Sequence, residues 1–228
     1  ETNIGKSIFL GNIAHNIAKE GKNVLIVTLE MSELLYARRI CTNVTKVPMK
    51  ELVGNTPAIK QAINEEKGKI FIKEFPPATI TPNQLKGFIK KFKEQGIELD
   101  AIVLDYLNLM HSTMGNNSYE RIKHVTEQVR AMSYLFNCPI ISATQLNRAG
   151  FDTDNPDLAT ISESIGLAAT ADVICSIFQN EEDRELGIIR LGMMKNRYGP
   201  RGSTQAMRIN YSTLSIEEAD DIEFEDDS

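Results

Sequence analysis

No apolar run in the 228 residues approaches the ~20 that a membrane-spanning helix requires. The first residues also lack the cationic and then apolar pattern of an export signal. Neither a membrane span nor secretion is therefore expected. Cysteine is scarce as well. Cys41, Cys138 and Cys175 are odd in number, far apart and set in apolar stretches. That excludes a disulfide framework and fits buried free thiols in a reducing, cytoplasmic compartment. The three histidines, His15, His111 and His124, are scattered, so no zinc cluster is visible. No internal repeat or low-complexity linker divides the chain, and one domain is the default at this length. The 42% hydrophobic and 25% charged fractions are those of an ordinary globular protein.

Basic residues are missing from one stretch in particular. Residues 217–228, "EEADDIEFEDDS", hold eight of the 31 acidic residues and none of the 25 basic ones. The formal charge of −6 therefore belongs to the end of the chain, and the body is weakly basic. The segment is expected to be a solvated, disordered tail, with a partner-binding or DNA-mimicking tail as the alternative. It does not exclude nucleic acid as the ligand of the body.

What is present is a regular alternation of helices and strands. Phe9, Leu10, Ile13, Ala14 and Ile17 form a helical stripe over residues 6–20 that stops at Gly21. The β-branched run 23–30 predicts a buried strand. Ser32 is placed to cap a helix, a second helical stretch covers 57–67, and a strand follows at 69–74. Thr81-Pro82 opens a helix with Leu85, Phe88, Ile89 and Phe92 on one face. An apolar strand lies within 99–110, and a long helix carries Ile122, Val125, Val129, Met132 and Phe136. Residues 138–145 are the next strand. A polar segment, 147–162, leads through a short helix to a strand at 172–178. Residues 186–195 and 204–211 read as an antiparallel hairpin. This order predicts an α/β fold with a mainly parallel sheet, and in such sheets ligands sit beyond the carboxyl ends of the strands. Glu30, Asp105 and Gln145 each end or closely follow an apolar strand.

The chain opens "ETNIGKS", the last seven residues of the phosphate-loop pattern G-x-x-x-x-G-K-[ST], whose first glycine would fall one position before Glu1. In such a loop the backbone of Thr2, Asn3, Ile4, Gly5, Lys6, Ser7 and Ile8 cradles phosphates at a helix start. Lys6 reaches the terminal phosphates, and the Ser7 hydroxyl ligates Mg²⁺. By itself the fragment reads equally as a lysine in a first helical turn. Asp105, after the apolar "AIVL", has the position of the second magnesium ligand in P-loop NTPases. Glu30 is placed to polarise a water for attack on a γ-phosphate, or to begin the next helix. The Gln145 amide suits sensing of a γ-phosphate, or plain loop chemistry.

Taken together, "VTLEMS", "IVLDYLNLM", "SATQLNR" and "KNRYGP" resemble, in order, the motifs of the DnaB-like replicative hexameric helicases. The wording "ATQLNRAGFD" with "ISESIGLAATAD" is most similar to the tailed-phage branch. The resemblance implies a RecA-like P-loop NTPase fold over 1–216, with a C-terminal antiparallel hairpin and the acidic tail at 217–228. It places the strand feeding the phosphate loop, and an N-terminal domain, outside this sequence. It also implies ATP or another NTP with Mg²⁺ as cofactors. Lys6 and Ser7 match the phosphate-loop lysine and magnesium-binding hydroxyl, Glu30 the glutamate that activates water, and Asp105 the magnesium-associated aspartate. Arg39 matches an arginine directed toward the nucleotide, and Gln145 the sensor. Lys195 and Arg197 match the pair that a neighbouring subunit inserts at the ATP.

The partners implied are single-stranded DNA, further copies of the chain in a hexamer, a primase and a helicase loader, with no membrane. DNA is expected to meet loops at about 111–118 and 147–166. The first has no Lys or Arg. The second has Arg148, and Ser162, Glu163 and Ser164 where bacterial members carry a basic residue. Two alternatives stand beside the helicase: a RecA-like recombinase or other ring-forming or filament-forming ATPase without unwinding activity, and a chain that by itself neither binds nucleotide nor forms rings.

Overall fold

The structure is a computed structural model that describes residues 5–112, 114–115, 117–145 and 165–219. Among them the order is α1 (Lys6–Lys19), β1 (Val24–Thr28), α2 (Glu33–Thr45), α3 (Thr56–Glu65), β2 (Ile70–Glu74), α4 (Pro82–Glu94), β3 (Ala101–Asp105), α5 (Ser118–Phe136) and β4 (Ile140–Ser142). Then come α6 (Ile165–Thr170), β5 (Val173–Phe178), α7 (Glu181–Leu186), β6 (Ile188–Asn196), β7 (Thr204–Asn210) and β8 (Ser215–Glu218). Short 3-10 turns at Met49–Glu51, Val53–Asn55 and Leu107–Leu109 complete the set.

The strands form two sheets. The first is parallel, in the order β2-β1-β3-β4. Every residue of β1 and β3 is buried, as a strand covered by helices on both faces demands. Alternate residues divide between the faces. Leu25, Val27, Ile102 and Leu104 pack toward Leu85 and Ile89 of α4 and Val125, Val129 and Met132 of α5. Val24, Ile26, Ala101 and Val103 pack toward Leu10 and Ala14 of α1 and Tyr36 and Ile40 of α2. Each such side chain contributes about 1.5–3 kcal/mol of burial. α4 starts where the sequence suggests: Thr81 and Gln84 close a capping box, with Pro82 at the first turn. Phe71, Phe88 and Phe92 then make edge-to-face contacts beside it.

The second sheet is antiparallel, in the order β5-β6-β7-β8, and here the structure exceeds the expected hairpin. The strand at 172–178 joins the antiparallel set through β6, and β8 adds a fourth strand. Glu217 and Glu218, assigned by composition to the acidic tail, therefore belong to the sheet. Their charges face solvent while Ser215 and Ile216 are buried. Residues 220–228 lie outside the described residues. α1 joins the sheets: Ile8 and Phe9 pack against Ile189, Ile209 and Ile216 of the second, while Leu10 and Ala14 serve the first.

All three cysteines are free. Cys138 is buried and its thiol is pushed up to about 11, chiefly by that burial. Cys41 is half-buried, and Cys175 is exposed, contrary to the apolar setting its sequence suggests. Among the described residues no helix is long and apolar enough to cross a membrane.

Candidate functional site

Gly5 precedes α1 in the left-handed region, at φ 94°, a conformation that glycine adopts without steric cost. It makes no side-chain cap; its carbonyl accepts from the Phe9 N–H at 2.8 Å. The N–H groups of the first helical turn have no partner within the helix and present its positive end to a ligand. Lys6 stands in that turn, half-buried. Desolvation lowers its pKa, while Glu30 and Asp105 nearby act against that shift.

Asp105 is the centre of the site. It is 1% exposed at the carboxyl end of β3. Burial raises its pKa, as does the neighbouring Glu30, whereas the facing Ser7 hydroxyl, Arg39 and Lys6 pull it down. Its Oδ2 is buried and has no hydrogen-bond partner. The hydroxyl of Tyr36, on α2 and 0% exposed, is in the same condition, and burial beside Asp105 raises its pKa strongly. The Asp105–Tyr106 peptide bond is cis.

Glu30 comes to Asp105 through the sheet. Thr28 pairs with Asp105 in the parallel register, and the Leu29 N–H donates to the Asp105 carbonyl at 2.7 Å. The Thr28 hydroxyl donates to the Met31 carbonyl and accepts from the Met31 N–H, both at 3.0 Å. That small turn holds Glu30 outward beyond the strand, exposed. Ser32 caps α2 by accepting from Leu35 N–H, and this helix carries Tyr36 and Arg39 back over the same strand ends.

The structure thus brings Lys6, Ser7, Glu30, Arg39 and Asp105 together. Gln145 lies three residues past β4, half-buried at the same edge of the sheet. Lys195 and Arg197 are elsewhere, at the end of β6 in the second sheet, and their contacts are with α6 and Asp172. Thr2, Asn3, Ile4, Arg148, Ser162, Glu163 and Ser164 lie outside the described residues.

Sequence reasoning missed four contributors. Tyr36 reads as one more apolar position of a helix. Thr28 reads as strand. A buried polar chain runs behind the site: His15 meets Asn43 Oδ1 at 2.5 Å and Glu66 at 3.0 Å, and Asn43 donates to Asn12 Oδ1 at 2.9 Å. Arg121, just past the loop 111–118, reaches back to donate to the Gly115 carbonyl at 3.3 Å. A Cβ at Gly115 would sit 2.7 Å from the Arg121 backbone nitrogen, so the loop can lie this close only without a side chain. Beside it a cavity of about 440 Å³ is lined by Leu107, Asn108, Met110, His111, Arg121 and Ile122, among others.

The orphaned Asp105 Oδ2, with Ser7 facing the same carboxylate, fits a hard cation that takes oxygen ligands. Among the described residues no group of three or more His, Cys, Asp or Glu could enclose a metal. That suits Mg²⁺, which keeps several waters and uses few protein ligands.

Comparison with known proteins accounts for this arrangement. The family model for the DnaB-like helicase C-terminal domain matches residues 1–214. The chain belongs to that family. A DnaB-like replicative helicase of Enterobacteria phage T4 is 26% identical over 212 residues, covering 87% of this chain and 45% of the relative. A probable replicative DNA helicase of Trieres chinensis is 28% identical over 224 residues, covering 89% and 48%. This DnaB-family chain therefore spans about half the length of the relatives it matches. Two solved structures, one an isolated ATPase domain and the other a DnaB-like replicative helicase studied with primase, superpose with TM-scores of 0.82 at 19% identity. Each superposition covers 95% of this chain, with 81% of the first structure and 56% of the second. The fold is that of RecA-like helicase ATPase domains.

Proposed function

We propose that this chain is the NTP-hydrolysing motor of a replicative DNA helicase, working between neighbouring copies in a hexameric ring. The observation that carries the proposal is the convergence of Lys6, Ser7, Glu30 and Arg39 on a buried aspartate with an unpartnered oxygen. The first-turn N–H groups of α1 and the Lys6 ammonium bind the β- and γ-phosphates of ATP or another NTP. Ser7 and Asp105 would hold Mg²⁺, which supplies neutralisation of the phosphate charge. Glu30, exposed at the strand end, orients and polarises the attacking water. Arg39 approaches the nucleotide from α2, and Gln145 senses the γ-phosphate at the same sheet edge.

Lys195 and Arg197 have no described contact with this group in their own chain, which supports their acting on a neighbour's nucleotide. A trans-acting arginine stabilises the transferring phosphoryl group and is worth about 10³–10⁵ in rate. Single-stranded DNA runs past the loop 111–118, where Arg121 supplies the positive charge the loop lacks, and past Arg148. Primase and a loader are the expected partners, in the cytoplasm of the cell. Membership of the DnaB-like family favours this reading over the recombinase.

The test mixes subunits of the full-length protein. Arg197→Ala and Glu30→Gln each abolish hydrolysis alone. Mixed rings recover part of it, because an intact Glu30 site then meets an intact Arg197. Absence of recovery at every mixing ratio would rule out action in trans.

A further inference from the structure

Arg197 and Arg130 share one carboxylate. Asp172, between α6 and β5, places Oδ1 2.7 Å from Nη1 of Arg197 and 2.9 Å from Nη2 of Arg130. Arg130 is held from other sides as well. It donates to the Thr170 carbonyl and to the Tyr134 hydroxyl, and its guanidinium lies 5.6 Å from the centre of the Tyr134 ring. Lys195 donates to the carbonyls of Ala168 and Ala169 at 2.7 and 3.3 Å. The last turn of α6 and the aspartate after it thus receive all three cations.

The geometry points to Asp172 as the positioning residue for Arg197, with Arg130 as its anchor. This rests on the proposed action of Arg197 at a neighbour's nucleotide. An arginine on a turn would otherwise sample many rotamers and lose that freedom during the reaction, and holding it beforehand removes the cost. Asp172 engages one terminal nitrogen, and a guanidinium has further N–H donors to offer a phosphate. Arg197 is 45% exposed, open to a neighbouring surface. One carboxylate against Lys195, Arg197 and Arg130 leaves the group net positive, so the pairing aims Arg197 without cancelling its attraction for phosphate.

The carboxylate is not what holds the strands. Val173 pairs with Asn196 in the ladder, and the Arg197 N–H donates to the Asp172 carbonyl at 3.0 Å. Both ties survive a change of side chain. Asp172→Asn is therefore the informative substitution.

In the full-length protein, DNA-stimulated turnover of Asp172→Asn is expected to fall about 10- to 100-fold, the cost of a misplaced group. KM for ATP stays within about twofold, because Arg197 is not part of the subunit's own phosphate loop. Asp172→Glu, which keeps the charge, recovers most of the turnover. Mixing Asp172→Asn with excess Lys6→Ala subunits raises turnover per Asp172→Asn subunit, since the inactive neighbours bring a well-held Arg197. Wild-type or increased turnover in Asp172→Asn overturns the proposal. So does a loss that mixing does not relieve, or failure of the variant to assemble, because the carboxylate would then act on its own subunit. Arg197→Ala, measured in parallel, separates the levels: retained turnover there overturns the trans-acting reading, and this proposal with it.

Discussion

The two sheets treat charge in opposite ways. At the carboxyl ends of the parallel strands, Asp105 is buried with an unpartnered oxygen, and the Tyr36 hydroxyl beside it is orphaned. In the antiparallel half, Arg197, Arg130 and Lys195 are each supplied with acceptors from their own chain. Leaving a buried polar atom unpaired costs about 1–3 kcal/mol, so the first region is strained in a way that a bound cation and nucleotide relieve. The second region lacks nothing, and its groups are half-exposed. One site is built to be completed by a ligand, the other to be presented to a neighbour.

The largest effect that would break this comparison is at Asp105. Burial raises its pKa above the value in the unfolded chain, so its contribution to stability is present in acid and lost as pH rises through the folded-state pKa. Asp105→Asn removes the charge and keeps the shape. Without ligand, the variant is expected to melt above wild type at neutral pH, and the gap closes as pH falls and the wild-type carboxyl takes up its proton. Hydrolysis should drop about 10²–10³-fold, the loss typical of removing one pre-organised electrostatic group. Magnesium and nucleotide reverse the order of melting, because wild type alone gains their full binding energy. A ligand-free variant less stable than wild type would mean that the buried carboxylate supports the fold rather than opposing it.

How much of this was legible in the sequence depends on where each residue stands. Lys6, Ser7, Glu30 and Asp105 sit at helix starts or strand ends, and a parallel α/β sheet gathers such positions at one edge by topology alone. Their convergence is readable without coordinates. Asp172 occupies an equally exposed junction, but its role depends on Arg130, which lies on the polar side of a long helix 42 residues earlier. No local pattern marks that pairing. β8 was hidden because acidic composition reports which side chains meet water and is silent on whether the backbone is paired. Ile216 is buried between acids that face out. The buried run of Asn12, His15 and Asn43 interrupts two apolar helical stripes, and such an interruption is the one trace a buried polar network leaves in a sequence.

That network sharpens the comparison, because it joins the two regions. Asn12 on α1 donates to the Leu214 carbonyl at 2.9 Å and accepts from the Ile216 N–H at 3.0 Å, and Asn43 donates to the same Leu214 carbonyl at 2.8 Å. Asn12→Ala leaves the Ile216 N–H and one Asn43 donor unpaired in a dry place. A loss of about 2–4 kcal/mol in urea unfolding is expected. If the two halves lean on each other through this contact, the variant's nucleotide affinity falls as well. A change below about 0.5 kcal/mol would show that the apolar contacts of Ile8 and Phe9 with the second sheet suffice.

The smallest expected effect concerns DNA. Arg121 is exposed at the first turns of α5 and tied to the 111–118 loop through Gly115. A single phosphate contact on a single strand contributes about 0.7 to the slope of log affinity against log salt. Arg121→Ala should therefore weaken single-strand binding by only a few-fold at moderate salt and lower that slope by about 0.7. Lys123, close enough to Glu127 at 4.0 Å to pair with it along the helix, is the control and should leave the slope unchanged when replaced by alanine. The slope is the deciding quantity, because a local distortion of the loop weakens binding equally at every salt concentration, whereas a lost phosphate contact does so most at low salt. An unchanged slope in Arg121→Ala would take this arginine out of the DNA path and leave the loop to bind through its backbone amides.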